Sequence, residues 1–280
     1  MTQLKTTFAG LSLRNPIIIS SSSLTNSAEK NKKRELAGAG AIVLKSVFEE
    51  QIMMEAHHMA TYGSPEGDDY LSTYVRSHAL NEYISLIEQT KKLCTIPVIA
   101  SINCFSNSEW TDFARTVEAA GADALEINIL SLQTEKEYQY GSFEQRHIDI
   151  VSSIKKQISI PVIVKLGSNL TNPIALINQL YANGANAVVL FNRFYQPDIN
   201  IDTMTYSAGD VFSTPADLSN GLRWTAIASA QVPQTDYAIS GGVHDGKAIV
   251  KAILAGASAV ELCSVIYQRG NQVIADMTNE

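Results

Sequence analysis

Short apolar runs recur along the chain, and four of them open on one pattern. Gly38-Ala39-Gly40-Ala41-Ile42-Val43-Leu44 is followed by Gly121-Ala122-Asp123-Ala124-Leu125-Glu126-Ile127, then by Gly184-Ala185-Asn186-Ala187-Val188-Val189-Leu190 and Gly256-Ala257-Ser258-Ala259-Val260-Glu261-Leu262. Each copy follows a stretch with apolar residues three to four apart, such as Phe113, Val117 and Ala120 before Gly121. Glycine there supplies the left-handed residue that ends a helix, and the run after it has the composition of a strand buried on both faces. Two more strands start at Ile96-Pro97-Val98 and Ile160-Pro161-Val162, where proline is tolerated because the first residue of a strand need not donate to the ladder. With Pro16–Ser20 and Tyr237–Ser240 the chain holds eight predicted strands, beginning near residues 16, 41, 98, 124, 162, 187, 237 and 259. Helical patterns fill most intervals, over Glu29–Ala37, Asn81–Leu93, Trp110–Ala120, Phe143–Gln157, Pro173–Ala182 and Leu222–Ala230.

Such alternation predicts parallel strands joined by right-handed crossovers. Eight units in 280 residues favour an α/β fold of the (β/α)₈ TIM barrel type, a single domain over 1–280. An open dinucleotide-binding sheet is disfavoured, because Ser20–Ser23 stand after the first strand where a glycine-rich fingerprint would be needed. The two longest intervals, near 46–81 and 193–221, are expected to lie over the C-terminal face. The last helix, begun near Gln268, is expected to be short or truncated.

Composition narrows the partners. Hydrophobic residues make up 45% and charged residues 18%, enough apolar material for a core. A net charge of −7 argues against nucleic acid, whose binding needs a basic stripe. Cys94, Cys104 and Cys263 show no paired spacing, so neither a disulfide framework nor a metal site is expected, and they fit a reducing cytoplasm. Ile17–Ile19 is far too short an apolar stretch for a membrane span, and a soluble cytoplasmic protein with a small-molecule substrate is expected. His57, His58 and His147 have no ligand spacing and are expected on the surface or in a lid, with Asp68-Asp69 in a solvated loop.

In a barrel the chemistry sits at the C-terminal ends of the strands. One step past each run stand Ser20–Ser23, Lys45-Ser46, Ser101 with Asn103, Asn128, Lys165, Asn192, Ser240-Gly241-Gly242 and Cys263-Ser264. Taken singly, a lysine after a strand is an ordinary solvated residue and an asparagine an ordinary turn former. Together they point Lys45 and Lys165 at one mouth, suited to an anionic or electron-accepting group. Gly241-Gly242 and Cys263-Ser264 occupy the loops after strands seven and eight, the recurrent phosphate site of such barrels, and imply a phosphorylated ligand.

These rim residues resemble those of the dihydroorotate dehydrogenase family, FMN-dependent barrels, from about Leu4 to Gly270. The likeness rests on Asn15-Pro16-Ile17 with Ser21 and Ser22, Leu44-Lys45-Ser46, Glu126-Ile127-Asn128, Val164-Lys165, Leu190-Phe191-Asn192, Ser240-Gly241-Gly242-Val243 and Cys263-Ser264. The resemblance implies FMN as cofactor and a homodimer. It would place Ser21 and Ser22 along the flavin, Lys45 against flavin and substrate, and Lys165 at the pyrimidine end of the ring. Asn128 and Asn192 would bind substrate or ring edge, and Gly241, Gly242, Cys263 and Ser264 the phosphate, with Ser46, Ser101 and Asn103 completing the cofactor set.

The sequence departs from the family in the substrate loops. The family carries a Cys or Ser base three residues after the strand-four asparagine, then Pro-Asn. Here Ser131 holds the base position, with Leu132-Gln133 after it. The family's substrate-gripping loop after strand two is not matched by Tyr70–Asn81, and Arg193 stands where a small residue is usual. Ser131 and Lys45 are the catalytic candidates; Lys45, Asn128, Asn192 and Arg193 are the substrate-binding ones, and Arg76 with Arg193 suits a carboxylate on a different substrate. The leading expectation is oxidation of dihydroorotate to orotate by hydride transfer to flavin. The alternatives are a related FMN-dependent reductase with another substrate, a flavin-free phosphate-binding isomerase or aldolase using Lys45 or Lys165 as a Schiff base, and a catalytically silent partner-binding homologue.

Overall fold

The computed structural model describes residues 4–48, 65–103 and 110–280, with 65–76 and 110–112 described by their backbone alone. The chain opens with an antiparallel hairpin of β1 (Thr6–Phe8) and β2 (Leu11–Leu13). Its first half then runs β3 (Ile17–Ile19), α1 (Ala28–Leu36), β4 (Ala41–Val43), β5 (Val47–Phe48), α2 (Pro65–Leu93), β6 (Val98–Asn103), α3 (Trp110–Ala119) and β7 (Ala124–Ile129). Next come α4 (Ser142–Lys155), β8 (Val162–Gly167), α5 (Pro173–Ala182) and β9 (Ala187–Asn192). A second hairpin, β10 (Pro197–Asn200) with β11 (Thr205–Ala208), precedes α6 (Leu218–Gln231) and β12 (Asp236–Ser240). The chain ends with α7 (Gly246–Leu254), β13 (Ala259–Leu262), α8 (Ser264–Arg269) and α9 (Gln272–Asn279).

Eight strands pair in parallel in the order β3, β4, β6, β7, β8, β9, β12, β13 and back to β3. The sheet therefore closes, and the α/β barrel expected from the alternation is the fold. The period-2 alternation of each strand divides the apolar residues into two cores. Ile17, Ile19, Leu125, Ile127, Val188 and Leu190 face outward against the helices. Ile18, Val43, Ile99, Ile163 and Val189 face inward, together with Ala41, Ala124, Ala187 and Ala259. Those four alanines hold the same place in the repeated sequence pattern, and their small side chains leave room for Phe8 and Leu13 of the first hairpin, which share the inner core. The hairpin is tied down by Ala9 N–H donating to Asp236 Oδ2 at 2.7 Å.

Two expectations need correction. Helix α2 begins at Pro65 rather than near Asn81, so Asp68 and Asp69 lie in a helix and not a loop. Proline is at home in the first helical position, but Glu66, Gly67, Asp68 and Asp69 interrupt the apolar spacing that marks the later turns. His147 is fully buried on α4, with Nδ1 bonded to the Phe143 carbonyl at 2.7 Å and its ring edge-on to Phe143. It is a core residue. His57, His58 and Cys104 lie outside the described residues.

The two Ile-Pro-Val strand starts share a device that the sequence repeat only hints at. Glu35 Oε1 on α1 accepts from Thr95 N, Thr95 Oγ1 and Ile96 N at 2.8, 2.7 and 3.2 Å. Glu118 Oε1 on α3 accepts from Ser159 N, Ser159 Oγ and Ile160 N at 2.9, 2.5 and 3.1 Å. In both cases a helix carboxylate holds the backbone just before the proline and sets where the next strand begins. Burial alone would raise the Glu35 carboxyl, but hydrogen bonds from Lys32 and Thr95 outweigh it and hold the group at about 2. Because its folded value lies below the ordinary 4.5, Glu35 contributes stability above that value and loses it as pH falls toward 2. Replacing Glu35 with Ala should cost about 2–3 kcal/mol at neutral pH. In urea unfolding, the gap between wild type and variant should close as pH falls from 4.5 toward 2. A gap that stays constant through that window contradicts the assignment.

Candidate active site at the barrel mouth

The inward alternation that puts alanines deep in the barrel puts polar groups above them. On β7, Ala124 is followed inward by Glu126 and Asn128; on β8, Ile163 by Lys165; on β6, Ile99 by Ser101 and Asn103. Ladder register sets Ser101 beside Glu126, Asn103 beside Asn128, and Asn128 beside Lys165. Glu261 comes from β13, opposite Ser240 of β12. Ser20 follows β3.

These residues close the floor of the mouth with charge. Lys165 Nζ lies 2.5 Å from Glu261 Oε2, 3.8 Å from Glu126 Oε1 and 2.9 Å from Ser20 Oγ. Ser20 Oγ also donates to Glu261 Oε2 at 2.8 Å. Lys165, Glu126 and Glu261 are 5%, 1% and 2% exposed, so water does little to screen them. Burial would depress the Lys165 ammonium, but the carboxylates of Glu126 and Glu261 outweigh it and raise its value. Burial, reinforced by repulsion from Glu261, pushes Glu126 well above the carboxylate range. Burial also works against an ionised Glu261, yet contact with Lys165 keeps its carboxyl below the usual value. Cys263 is pushed up by burial and stays a thiol.

Above this floor a cavity of about 150 Å³ is lined by Ser20, Ser21, Lys165, Asn192, Arg193, Gly241, Gly242, Glu261, Cys263 and Ser264 among others. It shares Phe191, Asn192, Arg193, Ser240 and Gly241 with a neighbouring space of about 450 Å³. Gly241 and Gly242 are both left-handed, with φ of 92° and 74°. A Cβ on Gly242 would lie 2.1 Å from Leu218 N at the start of α6, whereas one on Gly241 would meet nothing within 4 Å. The first glycine is thus needed for its conformation and the second also for close packing. Ser264 opens α8, and its Oγ accepts from Ser213 N at 2.9 Å, bringing the segment after the second hairpin down to this corner. Backbone N–H groups at a glycine turn and a helix start, beside hydroxyls, suit a phosphate.

Several of the sequence-selected residues are brought together at this mouth. Asn192 Nδ2 donates to Asn128 Oδ1 at 2.9 Å across the mouth. Asn103 Oδ1 is buried with no partner among the described residues, an acceptor suited to a ligand donor. Ser21 Oγ and Ser46 Oγ are 2.9 Å apart, and Ser46 Oγ is 2.7 Å from Ser101 Oγ. Lys45 lines a space of about 560 Å³ together with Ser46, Glu82 and Tyr83. Ser22 caps the short 3₁₀ turn Ser23–Thr25, accepting from Leu24 N, so its hydroxyl is engaged locally. Ser131, two residues past β7, accepts from Gln133 Nε2 at 2.9 Å. Arg193 donates to the Val211 carbonyl at 2.8 Å. The Arg76 side chain lies outside the described residues.

Sequence reading missed Glu126 and Glu261 as site residues. A signal was present: each is a lone acid within an apolar strand, and both take the sixth place of the repeated pattern, two residues beyond its inward-facing alanine.

A family model described as dihydroorotate dehydrogenase matches residues 3–280. The catalytic subunit of dihydroorotate dehydrogenase B (NAD(+)) from Thermoplasma volcanium is 28% identical over 99% of this chain and 91% of its own length. Dihydroorotate dehydrogenase A (fumarate) from Limosilactobacillus reuteri is 28% identical over 90% of this chain and 84% of its own. Among solved structures, Eimeria tenella DHODH in complex with ferulenol superposes with a TM-score of 0.70 at 15% identity, covering 99% of this chain and 83% of that one. At that identity the superposition speaks for the barrel alone, while the family match spans nearly every residue: the chain belongs to the dihydroorotate dehydrogenase family.

Proposed function

We propose that this chain is an FMN-dependent oxidoreductase that oxidises dihydroorotate to orotate in pyrimidine biosynthesis. The observation that carries the reading is a fixed ammonium, Lys165, lining the same cavity as a left-handed glycine pair and Ser264. A flavin nucleotide needs that combination: donors for its phosphate at one end and positive charge for its electron-rich pyrimidine edge at the other. Asn103 Oδ1, without a partner among the described residues, and the open space beside Gly241 fit such a ligand. Gly241, Gly242, Cys263 and Ser264 would hold the phosphate, Lys165 the pyrimidine edge, and Ser21, Ser46, Ser101, Asn103, Asn128 and Asn192 the remaining polar edges. Ser22 and Lys45 belong to the same proposed set, Lys45 standing next to Ser46 just past β4.

A bound flavin supplies the hydride acceptor. Turning a CH–CH bond into a double bond also releases a proton, and that proton is the protein's task. Ser131 is the proposed acceptor. A hydroxyl that takes a proton must pass its own onward. Gln133 donates to Ser131 and cannot receive, so the relay runs to water at the mouth. Asn128, Asn192 and Arg193 would orient the substrate. The hairpin exposes Ile199, Ile201, Met204 and Tyr206 at 61%, 84%, 87% and 85%, an apolar surface that supports a homodimer. Three cysteines without paired spacing support a cytoplasmic setting.

A related reductase with another substrate is the second reading, favoured by Leu132, which is 66% exposed, and Gln133 in place of the family's Pro-Asn. The Schiff-base alternative through Lys165 is opposed by its environment, since a nucleophilic amine must be neutral and Lys165 is held charged.

Anaerobic addition of dihydroorotate should bleach the flavin, and Ser131→Ala should slow bleaching about 10²- to 10⁴-fold. Persistent colour under excess dihydroorotate would move the assignment to the second reading. Lys165→Met should lower the flavin's reduction potential and slow its reduction by substrate; an unchanged potential would remove Lys165 from the ring site.

A further inference from the structure

Two carboxylates and one ammonium share the closed floor of the mouth. With every group ionised the cluster would carry one net negative charge, and a buried charge without compensation neutralises in preference to being held. Among the described residues, Lys165 is the one cation within ion-pair distance of these carboxylates; Arg193, which lines the cavity above, donates to the Val211 carbonyl instead. Tyr83 from α2 faces Glu126 through Ser101, donating to the Ser101 carbonyl at 3.1 Å and accepting from Ser101 N at 2.7 Å, and burial keeps its phenol protonated. Cys263 on the β13 side stays a thiol. Ser20 and Ser101 are neutral hydroxyls.

Hydrogen bonding distinguishes the two acids. Glu261 Oε2 takes both Lys165 Nζ and Ser20 Oγ, at 2.5 and 2.8 Å. Among the described residues, Glu261 Oε1 and both oxygens of Glu126 are buried without a well-formed hydrogen bond, although Glu261 and Ser101 lie near enough to Glu126 to interact. Three orphaned carboxylate oxygens in one buried cluster around Lys165 are costly as anions and are reconciled by a proton between the carboxyls.

We propose that Glu126 and Glu261 together hold a single proton in the resting protein, so that the pair acts as one negative charge opposite Lys165 and buffers charge beneath the ligand. As a role toward flavin this rests on the FMN reading; as a statement about the pair it does not. Either carboxylate alone is then enough to balance Lys165. Removing one acid ejects the shared proton and leaves the cluster neutral, whereas removing both strands the ammonium. The hydroxyls of Ser101, Ser46 and Ser21, linked at 2.7 and 2.9 Å, run from beside Glu126 to the cavity and give the proton a way in and out.

The test is isotope-edited infrared spectroscopy of the full-length protein labelled at glutamate carboxyls. Wild type should show the C=O stretch of one protonated glutamate at neutral pH, and either Glu126→Gln or Glu261→Gln should abolish it. Absence of that band in wild type overturns the proposal with no variant needed. Survival of the band in Glu261→Gln also overturns it, because Glu126 would then be an isolated buried acid. In flavin-loaded protein each single substitution should move the midpoint potential by far less than half the rise seen in the double variant; two equal half-sized steps would mean two independent charges and refute the pair. If the protein carries no flavin, the FMN reading fails while the infrared result still decides the protonation of the pair.

Discussion

A lysine ammonium closed inside the top of a barrel is the constraint around which the mouth is organised. Lys165 is 5% exposed and cannot be hydrated, so its charge must be met by the protein. Glu261 meets it directly and Ser20 helps fix the geometry. Removing both acids would strand the ammonium, and the contacts tie strands β3, β7, β8 and β13 into one polar set. The barrel gains no obvious stability from this cluster compared with apolar filling, since buried ion pairs commonly do no better than break even. Its value lies in a permanent positive charge at a defined place, where a developing negative charge can be stabilised without reorganisation.

The rest of the barrel makes that placement possible. Below the charged layer the interior is filled by alanines, β-branched residues and the Phe8–Leu13 plug, a dry base that keeps the field of the ion pair from being screened. Around the outside, Glu35 and Glu118 pin the starts of β6 and β8, fixing the register that brings Ser101 level with Glu126 and Asn128 level with Lys165. A slip of one residue would turn each of these side chains from the interior to the helix layer. Local anchoring of strand starts is therefore part of how the site is built.

Much of this was legible in the sequence, for identifiable reasons. Strand positions are marked by Gly-Ala motifs because each helix must end in a left-handed residue before a buried strand, and parallel strands must be apolar on both faces. Gly241-Gly242 is visible because a backbone with two successive positive φ angles tolerates little else. The extent of α2 was hidden by its polar first turns, and the burial of His147 by the absence of any sequence mark separating a core histidine from a surface one. The Lys165–Glu261 pair was hidden for a different reason: its partners are 96 residues apart and meet only once the barrel closes and the inward register is known.

The central claim is that this mouth is built for a flavin nucleotide. Its most direct test is to purify the protein, record its visible spectrum, and identify by mass what it releases on denaturation. A yellow protein that gives up one FMN for each chain is the predicted result. A colourless protein that also fails to take up added FMN would contradict the account.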